Sequence, residues 1–534
     1  MKKILFTLFL LINLSFTAFS QGISLEQQRK LHDVLRAVST LYVDSIDDRQ
    51  VVQNTIIALL RELDPHSVYI PAEEVQRMRE PLQGSFYGIG VQFQMLEDTL
   101  FVVQVIAGTP AEKVGIQPGD RIIYVEDELI AGVRKQNTQI MQLLRGLRGT
   151  EVNVKVLRRG QKELLPFKMI RDRIPIYTVN ASYMIGDDIG YIKINNFGNT
   201  TLDEYRRAFN SLQEQGMKHL IVNLQGNGGG LLGAAIELSD QFLSDGQLIA
   251  YTEGLHQPKH DFRSTRRGNF QNGKLIILVD EHSASASEIT AGAVQDWDRG
   301  IIVGRRTFGK GLVQREIMLR TDSSMLRLTT ARYHTPTGRS IQRPYNDGAE
   351  QYAKDLMNRF QHGELMYADS IHFPDSLRFK TLRLGRTVYG GGGIMPDVFI
   401  PLDTARFTDY HRRLLARGVM NRTTVQYIER NREELRNAFP TFELFKENYE
   451  VGEDFIAQLI KNGEAEDIPY NEEQMAMSRN LIKLQHKARV ANSLWTTNEF
   501  FRIIDQENEA LQRAVQILRT PGEFERILSS PKRE

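Results

Sequence analysis

The chain contains no cysteine. Disulfides, thiolate metal sites and a cysteine nucleophile are excluded together, and cysteine usage is silent about redox compartment. Net charge is nearly absent as well: 67 lysines and arginines stand against 66 aspartates and glutamates, so no basic excess points to a nucleic-acid partner. No phosphate-cradling Gly-x-x-x-x-Gly-Lys-Ser/Thr string occurs, which leaves nucleotide hydrolysis without support. The apolar run from Ile4 to Phe16 is shorter than the roughly 20 residues a membrane span requires. It follows Lys2 and Lys3 and ends in Thr17-Ala18-Phe19-Ser20, the layout of a secretory signal cut before Gln21. A cleaved leader over residues 1–20 places the mature chain in the periplasm or outside the cell, with no span of its own. At 534 residues the remainder has material for several domains.

The most informative stretch is Val279 to Arg315. The small residues Ser283 to Ser287 follow an apolar strand, Leu275 to Val279, and precede a helical pattern beginning near Glu288. A hydroxyl on such a strand-to-helix turn has the next backbone N–H and the positive helix end beside it, both suited to a developing oxyanion. Lys310 sits between Gly309 and Gly311, which lets its backbone approach another segment closely. A buried lysine loses proton affinity and becomes able to act as a base toward a serine. Gln314 lies four residues on, in a strand from Leu312 to Leu319 that turns both side chains to one face. Two rivals are weaker. His282 is too close along the turn to point back at Ser285, and the His256/His260 pair has Pro258 between its members and no glutamate to complete a metal set.

Ser-Ala-Ser-Ala-Ser-Glu (283–288) and Phe-Gly-Lys-Gly-Leu-Val-Gln (308–314) together resemble the carboxy-terminal processing, or tail-specific, proteases. The resemblance implies that Ser285 is the nucleophile, Lys310 the general base and Gln314 the residue that orients the lysine, with Ser287 a helix cap and Ser283 a turn residue. It extends from Leu63-Asp64-Pro65-His66-Ser67, through the closing Gly-Gly-Ile-Met-Pro-Asp string at 392–397, to about Pro401. The family's glycine loop reads Asp-Leu-Arg-x-Asn-Pro-Gly-Gly. Here Asn223, Gln225 and Gly228 replace its Asp, Arg and Pro, which removes a charge pair and is expected to loosen the loop. The oxyanion donors implied are Gly229 or Gly230 together with Ala286.

From Gly84 the chain changes to short strands: one beginning at Gly88-Ile89-Gly90-Val91, then Thr99 to Val105, Arg121 to Val125 and Glu151 to Arg158, with a helix from Asn137 to Leu144. This order, with its Gly-x-Gly, Gly-Thr-Pro-Ala and Pro-Gly-Asp strings, resembles a PDZ domain. Backbone N–H groups of the Gly88–Val91 loop would hold a terminal carboxylate while the substrate adds as an edge strand. Ile89, Val91 and Leu143 or Leu144 would line the pocket for its last side chain.

The expected fold is multidomain α/β. A helical N-terminal segment (21–83) precedes a PDZ-like β-rich domain (84–170), an α/β core of crotonase/Clp-protease type (171–401) and an α-helical C-terminal domain (402–534). The expected function is a periplasmic serine endopeptidase needing neither cofactor nor metal. It would act on polypeptides with accessible C-termini, with an adaptor protein and a homodimer left open. The alternative is a catalytically silent PDZ scaffold that binds C-termini without cutting them.

Overall fold

The strands Ile189–Ile194, His219–Asn223, Leu275–Val279 and Ile301–Gly304 are mostly apolar on both faces, because helices cover both sides of their sheet. In the computed structural model, which describes residues 22–530, they form the centre of a six-stranded sheet. Val179–Ile185 borders it at one edge and Val398–Phe399 at the other. Val179–Ile185 runs antiparallel to its neighbour and the remaining pairings are parallel. Helices Thr201–Glu214, Leu232–Asp240 and Ala286–Asp296 supply the core on one face, through Phe209, Leu238 and Ile289 among others. The opposite face is covered by Glu509–Arg519 and Glu523–Ser529, whose Leu511, Ile517 and Ile527 pack on Ile221, Ile276 and Val303. These last helices, expected in the C-terminal helical domain, are therefore the third layer, on the far side of this six-stranded sheet. The leader expected at residues 1–20 lies outside the described residues.

A second sheet orders Val68–Ile70, Met325–His334, Leu248–Gly254 and Gln257–Arg263, with Leu312–Met318 also pairing with Met325–His334. Residues 68–70 were expected in a helical segment. Their pairing with Met325 to Arg327 fixes them to the core instead, and local periodicity carries no signal of so distant a partner. His260 lies on the strand Gln257–Arg263, so the His256/His260 spacing is not helical.

The β-rich domain is an antiparallel sheet in the order Val91–Leu96, Thr99–Val105, Arg121–Val125, Glu151–Leu157, Leu165–Ile170. Val91–Leu96 is an edge strand. The chain enters and leaves this domain along a two-stranded ribbon, Ser85–Gly88 against Asp172–Pro175. Helices from Asp409–Ala416 to Glu472–Leu494 share a core around Phe445, Phe455 and Ile482. They brace the β-rich domain where Leu96 and Phe101 meet Val425 and Arg121 pairs with Glu429 at 3.0 Å.

Residues 22–63 form a distinct unit of two helices. Leu25–Leu41 is capped by Ser24 and Asp48–Arg61 by Asp47, each side-chain oxygen accepting an otherwise unpaired first-turn N–H. Among the described residues no helix is long and apolar enough to cross a membrane.

Candidate active site

Three neighbouring parallel strands end side by side, and each delivers one part of a site at its carboxyl end, where open α/β sheets place ligands. His219–Asn223 leads into the glycine loop, Leu275–Val279 into the serine turn and Ile301–Gly304 into the lysine loop. Ser285 and Lys310 line one cavity of about 590 Å³, together with Gly230, Ala286 and Gln314. Its apolar wall includes Leu82, Leu231, Ile289 and Leu312.

Ser285 takes φ 54° and ψ −108° and is the N-cap of the fully buried helix Ala286–Asp296. A non-glycine residue in such a conformation stores about 1–3 kcal/mol of strain, which the surroundings must hold. Glu288 does much of that. Its buried carboxylate accepts from the backbone N–H of Ser285 (2.7 Å), Gly309 (2.7 Å) and Lys310 (2.9 Å), and from the Thr307 hydroxyl (2.5 Å). Tyr333 bridges the same two segments from outside, donating to Ser285 O at 3.0 Å and Lys310 O at 2.6 Å. The serine turn and the lysine loop are thus one rigid piece. Ser287, implied as a cap, instead donates its hydroxyl to Asn227 O at 2.9 Å, because Ser285 already occupies the capping position.

Lys310 Nζ donates to Gln314 Oε1 at 3.0 Å. Burial is the first cause that lowers its pKa from the ordinary lysine value; Arg327 adds to the effect, while Asp64 and Glu288 oppose it. Gln314 is itself oriented, its Nε2 donating to His66 O. The carbonyl of His66 is held by a tight loop in which Asp64 accepts from the N–H of His66 (2.8 Å) and Ser67 (2.9 Å) and from the Ser67 hydroxyl (2.6 Å). His66 Nε2 meets Tyr352 OH at 2.8 Å. Burial, followed by the neighbouring Lys310, lowers the pKa of His66 to about 4, so its ring is neutral at physiological pH.

Gly229 donates its N–H to Asn227 Oδ1 at 2.9 Å, which removes it from the expected oxyanion donors. The N–H groups of Gly230 and Ala286 have no acceptor among the described residues, and both residues face the cavity. Gly230 needs to be glycine: at φ +147° a Cβ would lie 2.0 Å from Phe197 O. The expected loosening of this loop is not found. Lys193 Nζ donates to Gln225 O, Asp280 accepts from Gly226 N at 2.9 and 3.0 Å, and Asn227 Nδ2 reaches Ile194 O at 3.0 Å. Lys193 thus ties the loop from the neighbouring strand through its amine. His282 is turned outward, its side chain 59% exposed, and faces Glu281 rather than the cavity.

A second cavity, of about 380 Å³, lies between the edge strand Val91–Leu96 and the helix Asn137–Leu144. Gly88, Ile89, Gly90 and Val91 line it with Met141, Leu144 and Arg145; Leu144 rather than Leu143 faces it. The carbonyls of Ile89 and Gly90 are taken by Ala111 and Ile106 N–H, and their own N–H groups have no acceptor among the described residues.

Glu288, Tyr333, Asn227 and the Asp64–Ser67 loop were missed as parts of the site. Glu288 ends the serine motif itself, three residues after Ser285, so a buried carboxylate at the start of an apolar helix was the available signal. The others come from far along the chain.

Residues 188–348 match peptidase family S41, and residues 88–169 match the PDZ domain. Residues 410–496 match a family of unknown function, DUF8443. The carboxy-terminal-processing protease of Bartonella bacilliformis is 35% identical over 333 residues, covering 61% of this chain and 75% of that protein. The carboxy-terminal processing protease CtpA of Bacillus subtilis is 33% identical over 315 residues, covering 59% and 66%.

Proposed function

The chain belongs to peptidase family S41, the carboxy-terminal processing serine proteases, and from that premise we propose that Ser285 and Lys310 form its catalytic dyad. The observation that carries this reading is a single one: a desolvated lysine amine, tied by Gln314, opens into the same cavity as the strained serine. Neutral Lys310 takes the proton of Ser285 as Oγ attacks the scissile carbonyl. The N–H groups of Gly230 and Ala286, at the positive end of the helix Ala286–Asp296, receive the oxyanion. Lys310 then protonates the leaving amine, and a water repeats the cycle on the acyl-enzyme with Lys310 again as base.

The substrates are polypeptides chosen partly by their C-termini. The free N–H groups of Ile89 and Gly90 suit a terminal carboxylate, and the edge strand Val91–Leu96 suits an extended peptide. The leader-like residues 1–20 support residence in the periplasm. The silent-scaffold reading drew part of its weight from the altered glycine loop, and the ties from Lys193, Asp280 and Asn227 favour an enzyme over it. Purified wild type should fragment β-casein. Ser285→Ala and Lys310→Ala should each lower the rate at least a thousandfold with unchanged circular dichroism; an active Lys310→Ala rules out the dyad.

A further inference from the structure

Behind the glycine loop, on the side away from the cavity, lies the turn that joins helices Thr497–Ile504 and Glu509–Arg519. Asn508 Nδ2 donates to Gln225 Oε1 at 2.8 Å. The same oxygen accepts from Asn223 Nδ2 at 3.2 Å, and Asn223 Nδ2 also reaches Tyr191 OH at 2.8 Å. Asp505, 8% exposed, accepts from Tyr183 OH at 3.0 Å, and its backbone carbonyl accepts the Asn508 N–H at 3.1 Å. Asn223 and Gln225 are the two positions where this chain carries amides in place of a charged pair. Amides cannot attract each other at a distance, so their orientation depends on partners that present the matching donor or acceptor. For Asn223 that partner is Tyr191, earlier in the chain, and for Gln225 it is Asn508, 283 residues later.

From Gln225 the connection runs directly into the site. Its N–H donates to Asn223 Oδ1 at 2.8 Å, and the next residue, Gly226, is held by Asp280. Asn227 follows, joined to Gly229 N and, through its carbonyl, to Ala284 N at 3.0 Å and the Ser287 hydroxyl. Gly230 is the third residue after Asn227. Gln225 and Gly230 are thus separated by four residues of chain, three of them glycines.

We propose that Asn508, braced by Asp505, is a positioning residue that holds the glycine loop in shape for oxyanion binding, so that the C-terminal segment completes the active site from behind. The proposal rests on the reading of Ser285 as nucleophile and Gly230 as oxyanion donor.

The test uses the full-length chain as wild type, Asn508→Ala, Asn508→Asp, Gln225→Ala, the Asn508→Ala/Gln225→Ala double variant and Ser285→Ala. β-Casein cleavage gives kcat and KM, and a fluorophosphonate probe with peptide mapping gives the rate of covalent labelling at Ser285. Asn508→Ala should lower kcat about tenfold with KM within twofold, since misplacing an oxyanion donor acts on the transition state. Labelling should slow in proportion. Asn508→Asp should do at least as badly, because its carboxylate repels Gln225 Oε1. The double variant should be no worse than Gln225→Ala, which approaches the same hydrogen bond from the other end and serves if Asn508→Ala folds poorly. A positioning role is overturned if Asn508→Ala keeps kcat within twofold, if only KM changes, or if the two single losses multiply in the double variant. A wild type that neither labels at Ser285 nor cuts casein sinks the dyad itself and the proposal with it. A fully labelled, active wild type beside an equally active Asn508→Ala removes only the role of Asn508.

Discussion

Gln314 has two chemically different ends, and its neighbours decide which one faces the lysine. The carbonyl of His66 accepts only, so it draws the Gln314 NH2 group and leaves Oε1 toward Lys310 Nζ. The Asp64–Ser67 loop thereby acts on Lys310 through the amide, in addition to the direct effect of the Asp64 charge. Replacing Gln314 with glutamate sets a negative charge beside the amine. An opposite charge favours the ammonium and raises the lysine pKa. With Lys310 as the proposed base, activity rises with pH through that pKa, and the acidic limb of kcat/KM for casein should move to higher pH in Gln314→Glu. An unmoved limb would show that Lys310 is not the titrating base.

At the scale of elements, the serine turn and the lysine loop are a single unit because one carboxylate joins them. Glu288 →Gln would turn an NH2 group toward two of the four donors that now share Oε1 and Oε2. Each donor left without an acceptor costs about 1–3 kcal/mol, so the variant should unfold in urea with a loss of about 2–6 kcal/mol. Burial, opposed by those hydrogen bonds, pushes the Glu288 pKa up to about 7. The folded state therefore holds this proton more tightly than the unfolded state, and through this group stability falls as pH rises between about 4.5 and 7. Glu288→Gln should lack that part of the slope; an identical slope in wild type and variant would contradict the assignment.

The same elements show where sequence is legible. That Ser285, Lys310 and Gln314 come together in one cavity could be read because each stands in a short motif whose neighbours set its local geometry. The strands Thr99–Val105 and Arg121–Val125 and the helix Asn137–Leu144 could be read because their patterning or boundary strings are local. What separates Gly230 from Gly229, the two glycines between which the motif leaves the choice open, is a single side chain, Asn227, whose Oδ1 takes the Gly229 amide. The partners of Gln314 and Gln225 were unreadable because hydrogen bonds across 248 and 283 residues leave no periodic trace.

At the scale of the whole molecule, the protease sheet is finished by the end of the chain. Ala510, Ala514 and Ile517 are buried with Tyr191, Ile221, Leu278 and Ile301, and the Thr201–Glu214, Leu232–Asp240 and Ala286–Asp296 helices do not touch that face. The central strands are apolar on both sides, so a sheet lacking its last helices would expose a continuous apolar surface. The spacing of Leu511, Val515 and Leu518 marks one helical face but not what that face covers, and a helix in an appended bundle carries the same pattern. The two arrangements predict different behaviour. Ile517→Ala removes three methyl or methylene carbons from a fully buried site and should cost about 2–5 kcal/mol. If the helix Glu509–Arg519 is a layer of the catalytic core, that loss falls on the core itself. The temperature at which casein cleavage disappears should then drop by several degrees, together with the main calorimetric transition. In an independent appended domain the same substitution would lower a separate transition and leave the thermal loss of activity where it was.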